Sequence, residues 1–133
     1  MTEMIDALDA LLGAEIKDEK DVYIKRLNTN FTIKSISGEE IQHITDEASE
    51  FEGKGAKRRR VTDDLKLSAL LIVRACVSPT FSDARLLEKY GAVSADEVVL
   101  KSLRAGEIAK LSAEIMELSG FDDEDEVIDD VKN

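Results

Sequence analysis

Residues 65–77 contain Leu65, Leu67, Ala69, Leu70, Leu71, Ile72, Val73, Ala75, Cys76 and Val77, interrupted by few polar residues. Periodicity predicts a helix that is apolar nearly all round, and such a helix belongs at the centre of a core. In a chain where 35% of residues are charged and 5% aromatic, few other segments can fill that role. Everything else must fold around this helix, or leave one of its sides to a partner. Thr62, Asp63 and Asp64 form its N-terminal cap, where acidic residues suit the positive end of the helix dipole. Ser78-Pro79 is expected to stop it.

The 133 residues are enough for one domain with a single core. The segments before the central helix suggest an α+β arrangement, mainly helical, with an N-terminal β-hairpin. Val22-Tyr23-Ile24-Lys25-Arg26-Leu27 and Phe31-Thr32-Ile33-Lys34-Ser35-Ile36 read as two strands joined at Asn28-Thr29-Asn30. Asparagine tolerates the left-handed backbone of a tight turn. Val22 and Ile24 would share a face with Phe31 and Ile33, leaving Lys25 and Lys34 outward. An isolated hairpin is marginal in water, so it must lean on helices or gain strands. Ser37-Gly38-Glu39-Glu40 has the form of a capping box opening a helix with Ile41, Ile44, Ala48 and Phe51 in one stripe. Residues 52–60 read as a charged, glycine-containing loop.

Three helices are expected after the central one. Ser82 caps the first, which carries Leu86, Leu87 and Tyr90 and is closed by Gly91. Ser94-Ala95-Asp96-Glu97 is a second capping box, opening a helix with Val98, Val99 and Leu103. A turn near Ala105-Gly106-Glu107 leads to the last, with Ile108, Leu111, Ile115 and Leu118 at helical spacing and Gly120 at its end. Beyond it, residues 122–133 hold seven acids against one lysine, a net −6 out of the chain's −11. Such a block is expected to be a disordered acidic tail. The division expected is an N-terminal amphipathic helix or arm over 1–16, a domain over 17–121 and a tail over 122–133.

The arm places Ile5, Leu8, Leu11 and Leu12 on one side of a short helix. Too short to stand alone, it must dock on its own domain or on a partner. Together with Leu67 and Leu71 of the central helix, these apolar residues are candidates for a partner-binding surface. Arg58, Arg59 and Arg60, beside Lys54 and Lys57, form a basic run with no interleaved aromatic. It reads as a solvated loop, a site for an acidic partner or tail, or a nucleic-acid contact. The strong negative charge of the whole disfavours nucleic acid and anionic membranes.

Chemistry has little foothold. The one histidine, His43, lies off the Ile41/Ile44/Ala48 stripe and is expected to face solvent. The one cysteine, Cys76, reads as core filler, so neither an internal disulfide nor a zinc site within one chain is available. Asp123 and Asp125 match the first two positions of a calcium loop, but Ile128 stands where that loop requires glycine. No glycine pattern matches a phosphate-binding loop. The start lacks the basic region of a signal peptide, and the longest apolar run, residues 69–73, cannot cross a bilayer. A cytosolic protein without catalytic residues, metal or cofactor is expected.

In order, these pieces resemble the XkdN-like tail assembly chaperones of phages and phage-like elements. The resemblance rests on the two strand segments with Ser37-Gly38-Glu39-Glu40, on Leu86-Leu87-Glu88-Lys89-Tyr90-Gly91, and on Arg104-Ala105-Gly106-Glu107-Ile108. It continues through Ile115-Met116-Glu117-Leu118-Ser119-Gly120-Phe121 to the Lys132-Asn133 ending. The Asn28-Thr29-Asn30 linker and the charged loop at 52–60 depart from the pattern. The resemblance implies a non-enzymatic helper of tail morphogenesis in the bacterial host cytosol. Such a helper coats apolar segments of the tape measure protein, helps recruit tail-tube subunits, and in some cases forms a homo-oligomer. The residues themselves leave two other readings open: a small regulatory adaptor binding one folded protein, and a nucleic-acid-associated protein acting through the basic loop.

Overall fold

A computed structural model of the chain describes residues 4–121. The acidic segment 122–133, including Asp123 and Asp125, lies outside the described residues, as do residues 1–3.

The central helix, α3 (Asp64–Ala75), buries Ala69, Leu70, Leu71, Ile72 and Ala75. Asp63 caps it, accepting a hydrogen bond from the Lys66 backbone N–H at 3.1 Å. It packs against α2 (Gly38–Glu47), α5 (Ala95–Ser102) and α6 (Ala105–Met116), so the other elements are arranged around it. The helix ends two residues earlier than its apolar run. Cys76 and Val77 belong to a short strand, β5 (Cys76–Ser78), and not to the helix. An unbroken apolar run satisfies a buried strand as well as a buried helix, and here the strand wins by completing a sheet.

That sheet begins with the expected hairpin, β1 (Glu19–Ile24) against β2 (Thr29–Lys34), in a register that places Val22 opposite Phe31 and Lys20 opposite Ile33. Val22, Ile24, Phe31 and Ile33 all face the core. Lys25 is exposed but Lys34 is half-buried. The connection is a 3-10 turn over Lys25–Leu27 followed by Asn28 at φ 53°, so the left-handed position falls on Asn28. β5 adds antiparallel to β2, giving the order β1-β2-β5, and its register slips between Thr32 and Ile33. Phe31 meets Phe81 edge-to-face, their ring centroids 6.1 Å apart.

The Ser37 capping box forms as expected: Ser37 Oγ accepts from the Glu40 N–H and the Glu40 carboxylate accepts from the Ser37 N–H, both at 3.2 Å. Ile44 and Ala48 are buried, but Phe51 is 63% exposed and lies beyond the helix. It belongs to β3 (Ser49–Glu52), which pairs antiparallel with β4 (Arg59–Thr62). The charged stretch at 52–60 is therefore a second hairpin and not a loop. Its turn depends on Gly53 at φ +86°, where a Cβ would come within 2.5 Å of the Lys57 carbonyl oxygen.

Three further starts differ from expectation in detail. Asp83, and not Ser82, caps α4 (Ala84–Tyr90), accepting from the Arg85 N–H at 2.9 Å. Ser94 gives α5 no side-chain cap; Glu97 reaches back past it to accept from the Val93 N–H at 2.9 Å. Ala105, Gly106 and Glu107 are the first turn of α6 and not a turn before it. Gly91 closes α4 with φ +59°, and Gly120 breaks the last helix with φ +98°. Six helices and small antiparallel sheets make the described chain α+β and mainly helical.

Candidate functional site

The structure places the candidate partner-binding residues on three separate surfaces. The first is α1 (Ala7–Gly13), which carries Leu8, Leu11 and Leu12, with Ile5 just before it. It starts later than the stripe suggested and buries none of its residues. Leu11 and Leu12 are 77% and 75% exposed. Residues 14–18 join it to β1 without helix or strand structure and are exposed throughout. Among the described residues, the arm's helix buries no side chain against its own domain.

The second surface is a groove of about 280 Å³ between α2, α3 and α6, walled by Ile41, Ile44, Leu67, Leu71, Ala113 and Met116. Leu67 is half-buried and Leu71 buried, so both candidates serve the core and the groove together. Thr45, Ser68 and Ser112 complete the lining. The Ser112 hydroxyl has no hydrogen-bond partner among the described residues. Apolar walls with a few small polar groups suit an amphipathic helix better than a charged ligand. Leu67 and Leu71 were legible because they sit on the most apolar helix. Ala113 and Met116 were not, since they flank the Ile108/Leu111/Ile115 stripe that α6 turns into the core.

The third surface is the β3–β4 hairpin. Arg58 lies over the Phe51 ring at 4.3 Å from its centroid, a cation–π contact. Arg59 faces Glu52 at 3.9 Å across the strands, and Arg60 pairs with Asp46 of α2. Sequence order hides the aromatic neighbour, because Phe51 meets the basic run only through strand pairing. Of the three arginines, Arg60 has a close acidic partner, Arg59 a looser one, and Arg58 keeps its charge beside an aromatic face.

His43 is exposed, with Glu39 one turn away at 3.9 Å. Cys76 is half-buried at the edge of the sheet, and burial pushes its thiol up to about 11, away from the reactive thiolate form. Among the described residues no group of three or more His, Cys, Asp or Glu is placed to hold a metal ion. No described helix is long and apolar enough to cross a membrane.

The firmest polar junction joins the first hairpin to α6. Arg26 grips Glu107 with two forked hydrogen bonds of 2.8 and 2.9 Å, and donates a third to the Ser102 carbonyl at 3.0 Å. Glu107 Oε1 also accepts from the Arg104 N–H at 2.7 Å. Lys110 donates to the Tyr23 carbonyl, and Lys20 pairs with Glu114, so β1 is clipped along α6. These contacts hold the frame in which α6 forms one wall of the groove.

In comparisons with known proteins, no curated protein matches. Among solved structures, the chain is similar to the protein yqbn, known from its crystal structure. The identity is 22%, the match covers 90% of this chain and 99% of that one, and the TM-score is 0.62. At that identity the likeness is one of fold. Residues 8–132 match the family described as phage XkdN-like tail assembly chaperone protein. A match that runs through the arm, both hairpins and all three walls of the groove carries the conclusion: the chain belongs to the phage XkdN-like tail assembly chaperones, proteins of phage tail assembly.

Proposed function

We propose that this chaperone binds apolar, helical segments of the tape measure protein in the groove between α2, α3 and α6, and helps bring tail-tube subunits to them. The observation that carries the reading is the groove itself, an apolar trough at a three-helix junction in a chain of this family. An amphipathic helix laid into it would present apolar residues at i, i+3 and i+4, the spacing on which helix-in-groove recognition depends. A groove of this size shields only a short stretch. A long client therefore takes many copies, and affinity accumulates along its length. Weak single contacts also allow release when the tube closes around the client.

The remaining parts take supporting roles in this reading. Residues 17–121 act as the client-binding body, residues 1–16 as an arm, and residues 122–133 as an acidic segment. The net charge of −11 keeps the coated client soluble by mutual repulsion. Leu67 and Leu71 contact the client, and Arg58, Arg59 and Arg60 offer their hairpin to a further protein of the assembly. The work is done by binding without a chemical step, in the cytosol of the infected host. Co-expression tests it: the tape measure protein should remain soluble in a complex holding several copies of this chain. A client that precipitates regardless, or a one-to-one complex with an unrelated folded protein instead, would overturn it.

A further inference from the structure

A seven-residue helix does not hold in water without something to pack on, yet among the described residues α1 buries none of its side chains. Its apolar residues lie at i, i+3 and i+4: Leu8, Leu11 and Leu12, extended by Ile5 on the same side. The groove between α2, α3 and α6 is open, apolar and short, and its walls end where α6 exposes Ala113. Among the described residues, every copy thus carries one uncovered apolar helix edge and one open apolar trough. The linker at 14–18 is exposed and has neither helix nor strand structure, which gives the helix reach.

We propose that α1 of one copy docks its Leu8/Leu11/Leu12 edge into the α2–α3–α6 groove of a second copy. The two surfaces differ, so the contact is head-to-tail: each copy donates one arm and accepts another. A helix of this length buries well under the roughly 1,000 Å² that a stable complex needs, so the association is weak and reversible. Mutual coverage hides the apolar groove while no client is present. The inference takes up the groove of the client reading, and a client segment then competes with the neighbour's arm. Self-association is measured without any client, so its failure leaves the client reading standing, and failure of client binding leaves self-association standing.

Sedimentation equilibrium on the full chain, over micromolar to millimolar concentration, tests it. Two variants on exposed positions separate the surfaces: L8D/L11D removes the arm's edge, and A113E places a charge in the groove. Circular dichroism confirms that each is folded. The wild type should rise above its single-chain mass of 14.7 kDa as concentration increases. Each variant alone should hold that mass, with at least a tenfold loss of association. An equimolar mixture of the two should form a dimer and nothing larger, since it retains one intact arm and one intact groove. A wild type that stays at single-chain mass, variants that associate as the wild type does, or a mixture that does not recover would each overturn the proposal.

Discussion

Arg26 and Glu107, 81 positions apart, form a forked ion pair that fixes the turn of the first hairpin to the opening turn of α6. Ranged beside it, the Arg104 N–H and the Ser102 carbonyl bind the same two side chains, so hairpin, α5 and α6 meet at one point. Neither residue lines the groove, and the pair bears on it through the position of α6.

The pair makes stability depend on acid. Arg26, and next the Arg104 N–H, hold the Glu107 carboxyl down to about 2, against an ordinary 4.5. The folded chain therefore binds fewer protons at this group than the unfolded chain does. Its contribution is complete above about pH 4.5 and is lost as pH falls toward 2. Denaturant unfolding from pH 7 to pH 2 should show E107Q less stable than wild type at neutral pH, with the gap closing across that window. A gap that persists unchanged at pH 2 would refute the assignment.

Two glycines should respond in opposite directions to alanine. G53A forces a side chain into a left-handed position against the Lys57 carbonyl and should cost about 1–3 kcal/mol. G106A meets nothing within 4 Å in the first turn of α6 and should be neutral or stabilising by up to about 1 kcal/mol. Thermal unfolding of both variants distinguishes them by sign.

The central helix should show a steep contrast between its faces. Ile72 is fully buried, and I72A should cost about 2–5 kcal/mol. Leu65 is 56% exposed on the same helix, and L65A should stay within roughly 1 kcal/mol. Urea unfolding midpoints measure both.

The thiol gives a fourth check. With Cys76 half-buried and its pKa raised to about 11, alkylation by iodoacetamide at pH 7.5 should be slow in the folded chain. Denaturant should accelerate it by well over tenfold, as the thiol returns toward its ordinary acidity.

The parts legible in sequence are those where one local rule acts alone. Alternation put Val22, Ile24, Phe31 and Ile33 on one face, Ser37 and Glu40 announced their capping box, and the apolar run marked the core helix. The β3–β4 hairpin was hidden because its strands are four residues each, largely charged and without an apolar alternation. Its pairing becomes visible only once Glu52 stands opposite Arg59 and Arg58 covers Phe51. β5 was hidden inside an apolar run where strand and helix read alike until β2 supplies the partner. The groove was half legible. Leu67 and Leu71 are conspicuous by composition, while Ala113 and Met116 acquire meaning only from how α6 is rotated against α2 and α3.

The most direct measurement titrates an apolar helical segment of the tape measure protein against the wild type and A113E by calorimetry, with stoichiometry read from native mass spectrometry. The expected result is binding of several copies along a long segment, weakened at least tenfold by A113E while the fold is retained. Equal affinity of wild type and A113E, or no binding by either, would contradict the assignment of the α2–α3–α6 groove as the client site.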